Sequence, residues 1–136
     1  MGNYAVKKVI DFCYGHRLLD YDGKCRYLHG HNGQLEIEID TGTLDALGMV
    51  IDFGEIREIA KGWVDEHLDH KMLLHRDDPI VKVLQEWDQP LYLMEGNPTA
   101  ENISKLIFRQ LRAMGLHISR VSLWETPTGC AMYSED

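Results

Sequence analysis

The segment Gln34-Leu35-Glu36-Ile37-Glu38-Ile39-Asp40 alternates polar and apolar side chains without a break. A period of two belongs to a β-strand that buries one face and shows the other to water. Leu35, Ile37 and Ile39 are therefore expected to point inward. An earlier stretch, Asn3 to Phe12, places Tyr4, Val6, Ile10 and Phe12 on one parity and reads as a second half-buried strand. Two such strands need a cover, and two helical stripes supply it. The first helix begins at Asp52, a good N-cap with Glu55 at the third position of a capping box. Phe53, Ile56, Ala60, Trp63, Val64 and His67 or Leu68 then recur at helical spacing. The second starts at Asn97-Pro98-Thr99, with Pro98 suited to a first turn. Ile103, Leu106, Ile107, Leu111 and Met114 form its stripe, and Gly115 is its stop. Leu91 to Glu95 reads as a short strand and Ile118 to Trp124 as a last one. The order predicts an α+β domain over residues 1–136, an antiparallel sheet with two helices on one face. Such a sheet leaves its edges open, and closure by neighbouring subunits is the expected remedy.

Charge narrows the partners. The chain has 14 Lys+Arg against 22 Asp+Glu, a net charge of −8. Nucleic acid and anionic membrane surfaces are excluded as general partners, so an anionic ligand needs a local basic pocket. No apolar run is long enough to cross a membrane. The first residues lack the apolar core of a signal peptide, so a cytoplasmic location is expected. Three cysteines, Cys13, Cys25 and Cys130, show no CxxC spacing and read as free thiols.

The chemistry concentrates in Cys25-Arg26-Tyr27-Leu28-His29-Gly30-His31. Residues two apart on a strand share a face, so His29 and His31 can offer two imidazoles to one ion. If the strand continues into Leu35 and Ile37, both face inward. A catalytic zinc takes three protein ligands and keeps one position open. His16 is the best third candidate, because it follows a strand that can pair with the next as a hairpin. Spacing alone does not choose between a metal site and three unconnected histidines. Cys25 lies near enough to serve as base or nucleophile. Asp69-His70 is a pair in which the carboxylate can orient the imidazole. Adjacent residues rarely bond each other, so one is expected to serve the thiol and the other the substrate. Glu125 can accept two parallel N–H bonds from a guanidine-like ring edge. Thr99 either caps a helix or meets a ligand. His67, His75 and His117 read as ordinary structural histidines, and Cys13 and Cys130 as small inert hydrophobes.

These residues, in this order, resemble the pterin synthase family. The matching motifs are His16-Arg17-Leu18, Cys25 through His31, Met49-Val50-Ile51-Asp52-Phe53, Leu68-Asp69-His70, Pro98-Thr99-Ala100-Glu101-Asn102 and Glu125-Thr126-Pro127. The family contains 6-pyruvoyltetrahydropterin and 6-carboxytetrahydropterin synthases. The resemblance implies the tunnelling fold, with sheets joined into a barrel by trimers and a hexamer built from two trimers. It implies sites between subunits, with zinc on His16, His29 and His31. It makes Cys25 the proton acceptor, places Asp69, His70 and Glu125 in its relay, and assigns pterin binding to Glu125; Thr99 is the other candidate for substrate binding.

The three-residue gap between Cys25 and His29 resembles the bacterial carboxy enzymes. These convert 7,8-dihydroneopterin triphosphate to 6-carboxy-5,6,7,8-tetrahydropterin, releasing acetaldehyde and triphosphate, on the way to queuosine and other 7-deazapurines. The alternatives are the pyruvoyl reaction and a non-catalytic pterin-binding homologue. Lys24, Arg26 and Lys71 are candidate phosphate contacts. The sequence departs from the family at Phe12-Cys13-Tyr14-Gly15-His16, where small Ser or Ala residues are usual. Tyr14 is expected to narrow the side-chain pocket.

Overall fold

The computed structural model describes residues 2–136. Two long strands, β1 (Tyr4–His16) and β2 (His29–Thr41), form an antiparallel ribbon. A single 3-10 turn, Lys24–Arg26, lies in the connection between them. Then follow α1 (Phe53–His67), β3 (Lys71–His75), α2 (Ile80–Glu86), β4 (Leu91–Met94), α3 (Ala100–Ala113), β5 (Arg120–Thr126) and β6 (Gly129–Tyr133). All six strands join one sheet in the order β4-β3-β1-β2-β5-β6.

The expected antiparallel sheet describes four of these strands. β3 lies parallel to β1, and β4 parallel to β3. Parallel neighbours need a crossover that returns the chain to the same end. α1 separates β2 from β3, and α2 separates β3 from β4, which gives this geometry. β3 and α2 were not expected from sequence. β3 is five residues long, and it is buried on two sides: Leu73 belongs to the main core, while Leu74 packs with Val81 and Leu84 of α2. Two-sided burial removes the alternation that would reveal a strand. It also places α2 on the opposite face of the sheet from α1 and α3.

The main core lies between the sheet and the two longer helices. Ile10, Phe12, Leu35, Ile37, Ile39, Val121 and Leu123 meet Ile56, Ala60, Trp63 and Val64 of α1 and Ile103, Ile107, Phe108 and Leu111 of α3. Each fully buried Leu, Ile or Phe contributes roughly 1.5–3 kcal/mol by leaving water. Asp52 caps α1, but its carboxylate accepts from Gly54 N–H at 2.7 Å, so the bond closes on the second helical residue and not on Glu55. Thr99 caps α3 and accepts from Asn102 N–H at 3.1 Å, which puts Pro98 one residue before the cap. Gly115 takes φ +91°, and Leu116 N–H bonds the Leu111 carbonyl at 3.1 Å, ending the helix. Met114 falls at that stop and is exposed, outside the buried stripe.

Candidate functional site

The inward parity that buries Ile10 and Phe12 continues along β1 to Tyr14 and His16. On β2 the same face runs from Leu35 back through Gly33 to His31 and His29. The ribbon register sets His16 opposite His29 and Tyr14 opposite His31. Three imidazoles therefore gather on one face at the end of the ribbon. Their ring centroids lie 4.5, 5.1 and 5.1 Å apart. One ligand atom from each lies within 4.8 Å of the others.

Two of the rings are locked by carbonyl oxygens. His16 Nδ1 lies 2.6 Å from the Pro98 carbonyl, and His29 Nδ1 lies 2.7 Å from the Tyr27 carbonyl. A carbonyl only accepts, so each Nδ1 carries the hydrogen and each Nε2 keeps its lone pair free. Such outer bonds fix metal-ligating histidines in one tautomer. His16 Nε2 is buried and has no hydrogen-bond partner among the described residues. An orphaned lone pair in a buried ring is costly unless a cation takes it. The donor set of three imidazoles fits a divalent metal such as zinc. Burial pushes the His16 pKa down, and the nearby His29 and His31 add to this; the Pro98 bond and the Glu125 charge partly offset it.

Glu125 reaches this cluster through a β-bulge. Trp124 pairs with Cys130 and Thr126 with Gly129, which leaves Glu125 as the extra residue. A bulge re-aims the side chain it carries. Glu125 Oε2 lies 2.9 Å from His31 Nε2 and 3.3 Å from His16 Nε2. The Tyr14 ring stacks on Phe12 at 5.1 Å and lies 5.3 Å from His16, beneath the imidazoles. Gly33 makes room for it, because a Cβ there would sit 3.0 Å from Tyr14 Cε1. Burial first, then the Glu125 charge, pushes the Tyr14 pKa far up. No well-formed hydrogen bond joins that hydroxyl to the carboxylate.

A cavity of about 550 Å3 opens beside the imidazoles, lined by Lys24, Cys25, His29, His31, Glu101 and Glu125 among others. The segment that carries Cys25 is tied at several points. Arg17 makes a two-pronged contact with the buried Asp78 carboxylate. Burial alone would raise the Asp78 pKa, but the Arg17 guanidinium and the Ile80 N–H hold it below the usual carboxylate range. The Asn97 amide brackets Leu19, accepting from its N–H at 2.7 Å and donating to its carbonyl at 3.0 Å. Leu18 N–H then bonds the Cys25 carbonyl at 2.8 Å. Asn97, Pro98 and Thr99 thus hold the thiol loop, the first imidazole and the start of α3 in turn. The roles of Asn97, Pro98 and Asp78 leave no mark in the sequence. Asn-Pro signals a turn and nothing about what the turn holds.

Asp69 and His70 lie elsewhere in the chain. Contrary to expectation, the two bond each other, His70 Nδ1 to Asp69 Oδ2 at 2.8 Å. His70 adopts φ +60°, and this left-handed turn lets adjacent side chains meet. His70 lines a second cavity of about 550 Å3 with Cys13, and His29 and His31 border this cavity as well, while Cys25 does not. Within one chain the expected thiol and its relay are therefore not brought together.

Thr99 is engaged through its N–H, its carbonyl and the acceptor side of its hydroxyl. Of the three expected phosphate contacts, Lys24 lines the cavity with Cys25. Arg26 instead binds the Asp22 and Gly23 carbonyls and stacks over Tyr27, and Lys71 Nζ binds the Glu66 carbonyl.

Fold and site together describe a curled α+β sheet protein whose ribbon end offers three imidazoles to a metal ion. A family model described as 6-pyruvoyl tetrahydropterin synthase matches residues 5–136, and the chain belongs to that family. It is 43% identical over 125 residues to the 6-carboxy-5,6,7,8-tetrahydropterin synthase of Rickettsia bellii, covering 87% of this chain and 91% of that protein. It is 35% identical over 141 residues to the enzyme of the same name from Haemophilus influenzae, covering 97% and 99%. The 6-pyruvoyl tetrahydropterin synthase structure from Caenorhabditis elegans superposes with a TM-score of 0.75 at 21% identity, covering 100% of this chain and 98% of that one, which shows the shared fold.

Proposed function

We propose that this chain is a zinc-dependent 6-carboxy-5,6,7,8-tetrahydropterin synthase. Its substrate is 7,8-dihydroneopterin triphosphate, its products include acetaldehyde and triphosphate, and it serves the pathway to queuosine and related 7-deazapurines. The names of the bacterial relatives support the reaction. One observation carries the site: three imidazoles, two of them held in one tautomer by backbone carbonyls, converge beside Glu125, and His29 and His31 line a cavity with Cys25.

His16, His29 and His31 would hold the zinc, which would supply Lewis-acid chemistry toward the substrate's side chain. Glu125 accepts the paired N–H groups of the pterin ring edge, the geometry in which a carboxylate binds most tightly. Thr99 has its hydroxyl hydrogen left to donate. Cys25 as thiolate takes a proton from the substrate side chain and delivers it toward the ring. His70, held by Asp69, is the complementary acid. Cys25 and His70 line different cavities of one chain, so their meeting places the working site at a subunit contact. We infer a homohexamer of two trimers, in which the edge strands β4 and β6 find partners. General acid–base groups of this kind contribute about 10²–10⁴-fold each. Lys24, which lines the cavity with Cys25, is a candidate cation for the triphosphate.

The test is incubation of purified protein with 7,8-dihydroneopterin triphosphate, with and without a chelator, followed by mass analysis. The 6-carboxy product and acetaldehyde are expected, both lost with chelator and restored by zinc. A product that keeps the three-carbon side chain assigns the pyruvoyl reaction instead. Metal-loaded protein that leaves the substrate intact overturns the proposal.

A further inference from the structure

The Asp69–His70 pair has a thiol partner in its own chain, and that partner is Cys13. Cys13 Sγ lies 3.8 Å from His70 Nε2, within hydrogen-bond reach for sulfur. On the far side of the ring, His70 Nδ1 meets Asp69 Oδ2 at 2.8 Å. The backbone reinforces the arrangement. Asp69 Oδ1 accepts the Cys13 N–H at 3.0 Å, and His70 N–H donates to the Cys13 carbonyl at 2.7 Å. Because both peptide groups of Cys13 are held by the same two residues, its side chain has a fixed position relative to the ring. Thiol, imidazole and carboxylate in this order form an arrangement in which a third group orients a base toward a sulfur.

The hydrogen-bond roles set the direction of proton flow. Burial alone would raise the Asp69 pKa, but the Cys13 N–H, His70 and the charge of Lys61 hold it below the usual carboxylate range. An ionised carboxylate only accepts, so His70 Nδ1 carries the hydrogen and Nε2 turns its lone pair to the sulfur. The thiol is also reachable. It lines a cavity of about 550 Å3 with His70, Gly30 and Met72.

We propose that Cys13 is an acid–base partner of His70. Its S–H proton passes to Nε2, leaving a thiolate at Sγ and an imidazolium whose charge Asp69 holds, and it returns by the same path. Nothing is oxidised or reduced. The inference rests on reading Asp69–His70 as a proton relay, and it gives that relay a proton store within a single subunit.

The test uses the full-length protein and has two arms. In the first, iodoacetamide labelling is followed cysteine by cysteine through peptide mass mapping, with Cys130 as the internal reference. His70→Asn keeps a residue that tolerates positive φ but removes the imidazole. The Cys13-to-Cys130 rate ratio is expected to fall at least about tenfold in this variant. A ratio that stays constant or rises overturns the pairing. In the second arm, Cys13→Ala is expected to lower kcat on 7,8-dihydroneopterin triphosphate by about tenfold with KM unchanged, the behaviour of a lost proton partner and not of a lost binding contact. An unchanged kcat overturns the role in turnover. Should wild-type protein leave that substrate intact, the functional reading fails by itself, and the labelling arm still decides whether Cys13 and His70 are paired.

Discussion

The two halves of the β1–β2 ribbon share one backbone geometry and do opposite work. In the half toward Tyr4 and Thr41, the inward positions Ile10, Leu35, Ile37 and Ile39 are buried under the helices. In the half toward His16 and His29, the same parity carries Tyr14, His16, His29 and His31. Parity decides which face a side chain takes, and distance along the strand decides whether that face meets a helix or a cavity. Core and site are therefore one continuous row, and removing a residue should show where the row changes character.

The largest expected effect is on function. His29→Ala should lose both bound zinc and turnover, while the metal-free variant unfolds within about 1 kcal/mol of metal-free wild type. Metal analysis and urea unfolding check this together, and full zinc occupancy in the variant would break the division. Leu35→Ala, four residues beyond His31 on the same face, should show the converse. It should cost about 2–5 kcal/mol in urea unfolding and leave the zinc stoichiometry of the folded protein intact. The buried Asp78 anchors the thiol loop outside this row, and its effect carries a sign. Its carboxyl is held below the usual range, so it adds stability above that range and loses it as pH falls through its folded value. Asp78→Asn should therefore be less stable than wild type at pH 7, and the gap should close as pH drops below about 4. Thr99→Ala removes one cap and should cost about 1 kcal/mol. Tyr14→Phe should be the smallest change. It removes a buried hydroxyl that has no partner among the described residues, so metal-free stability should stay level or rise by less than about 1 kcal/mol. A larger loss would mean that the hydroxyl is satisfied after all.

Much of this organisation is legible in the alternation around Gln34–Asp40 and in the spacing of His29 and His31. Both follow from a period of two, and a period survives without knowledge of the partner strand. Pairing with His16 was inferable because a hairpin brings strand ends together. What stayed hidden depends on contacts that leave no local pattern. β3 is buried on two sides, so its alternation vanishes. α2 covers a patch of the opposite face that no single segment announces. Glu125 is recognisable as a strand-end acid, but the bulge that aims it at His31 depends on the register of β6. Cys13 read as an inert filler because its imidazole lies 57 residues away and meets it only through the left-handed turn at His70.

The closure of Leu18 N–H on the Cys25 carbonyl makes the residues between them an arc whose two feet stand together. Asn97 grips the first foot as well. Residues added to or removed from the crown, around Asp20 to Gly23, change the height of the arc and leave its feet in place, at an entropic cost that grows only slowly with length. Sulfur and imidazoles are in this way insulated from the number of residues that separate them, and the crown is free to be reshaped for whatever passes over it.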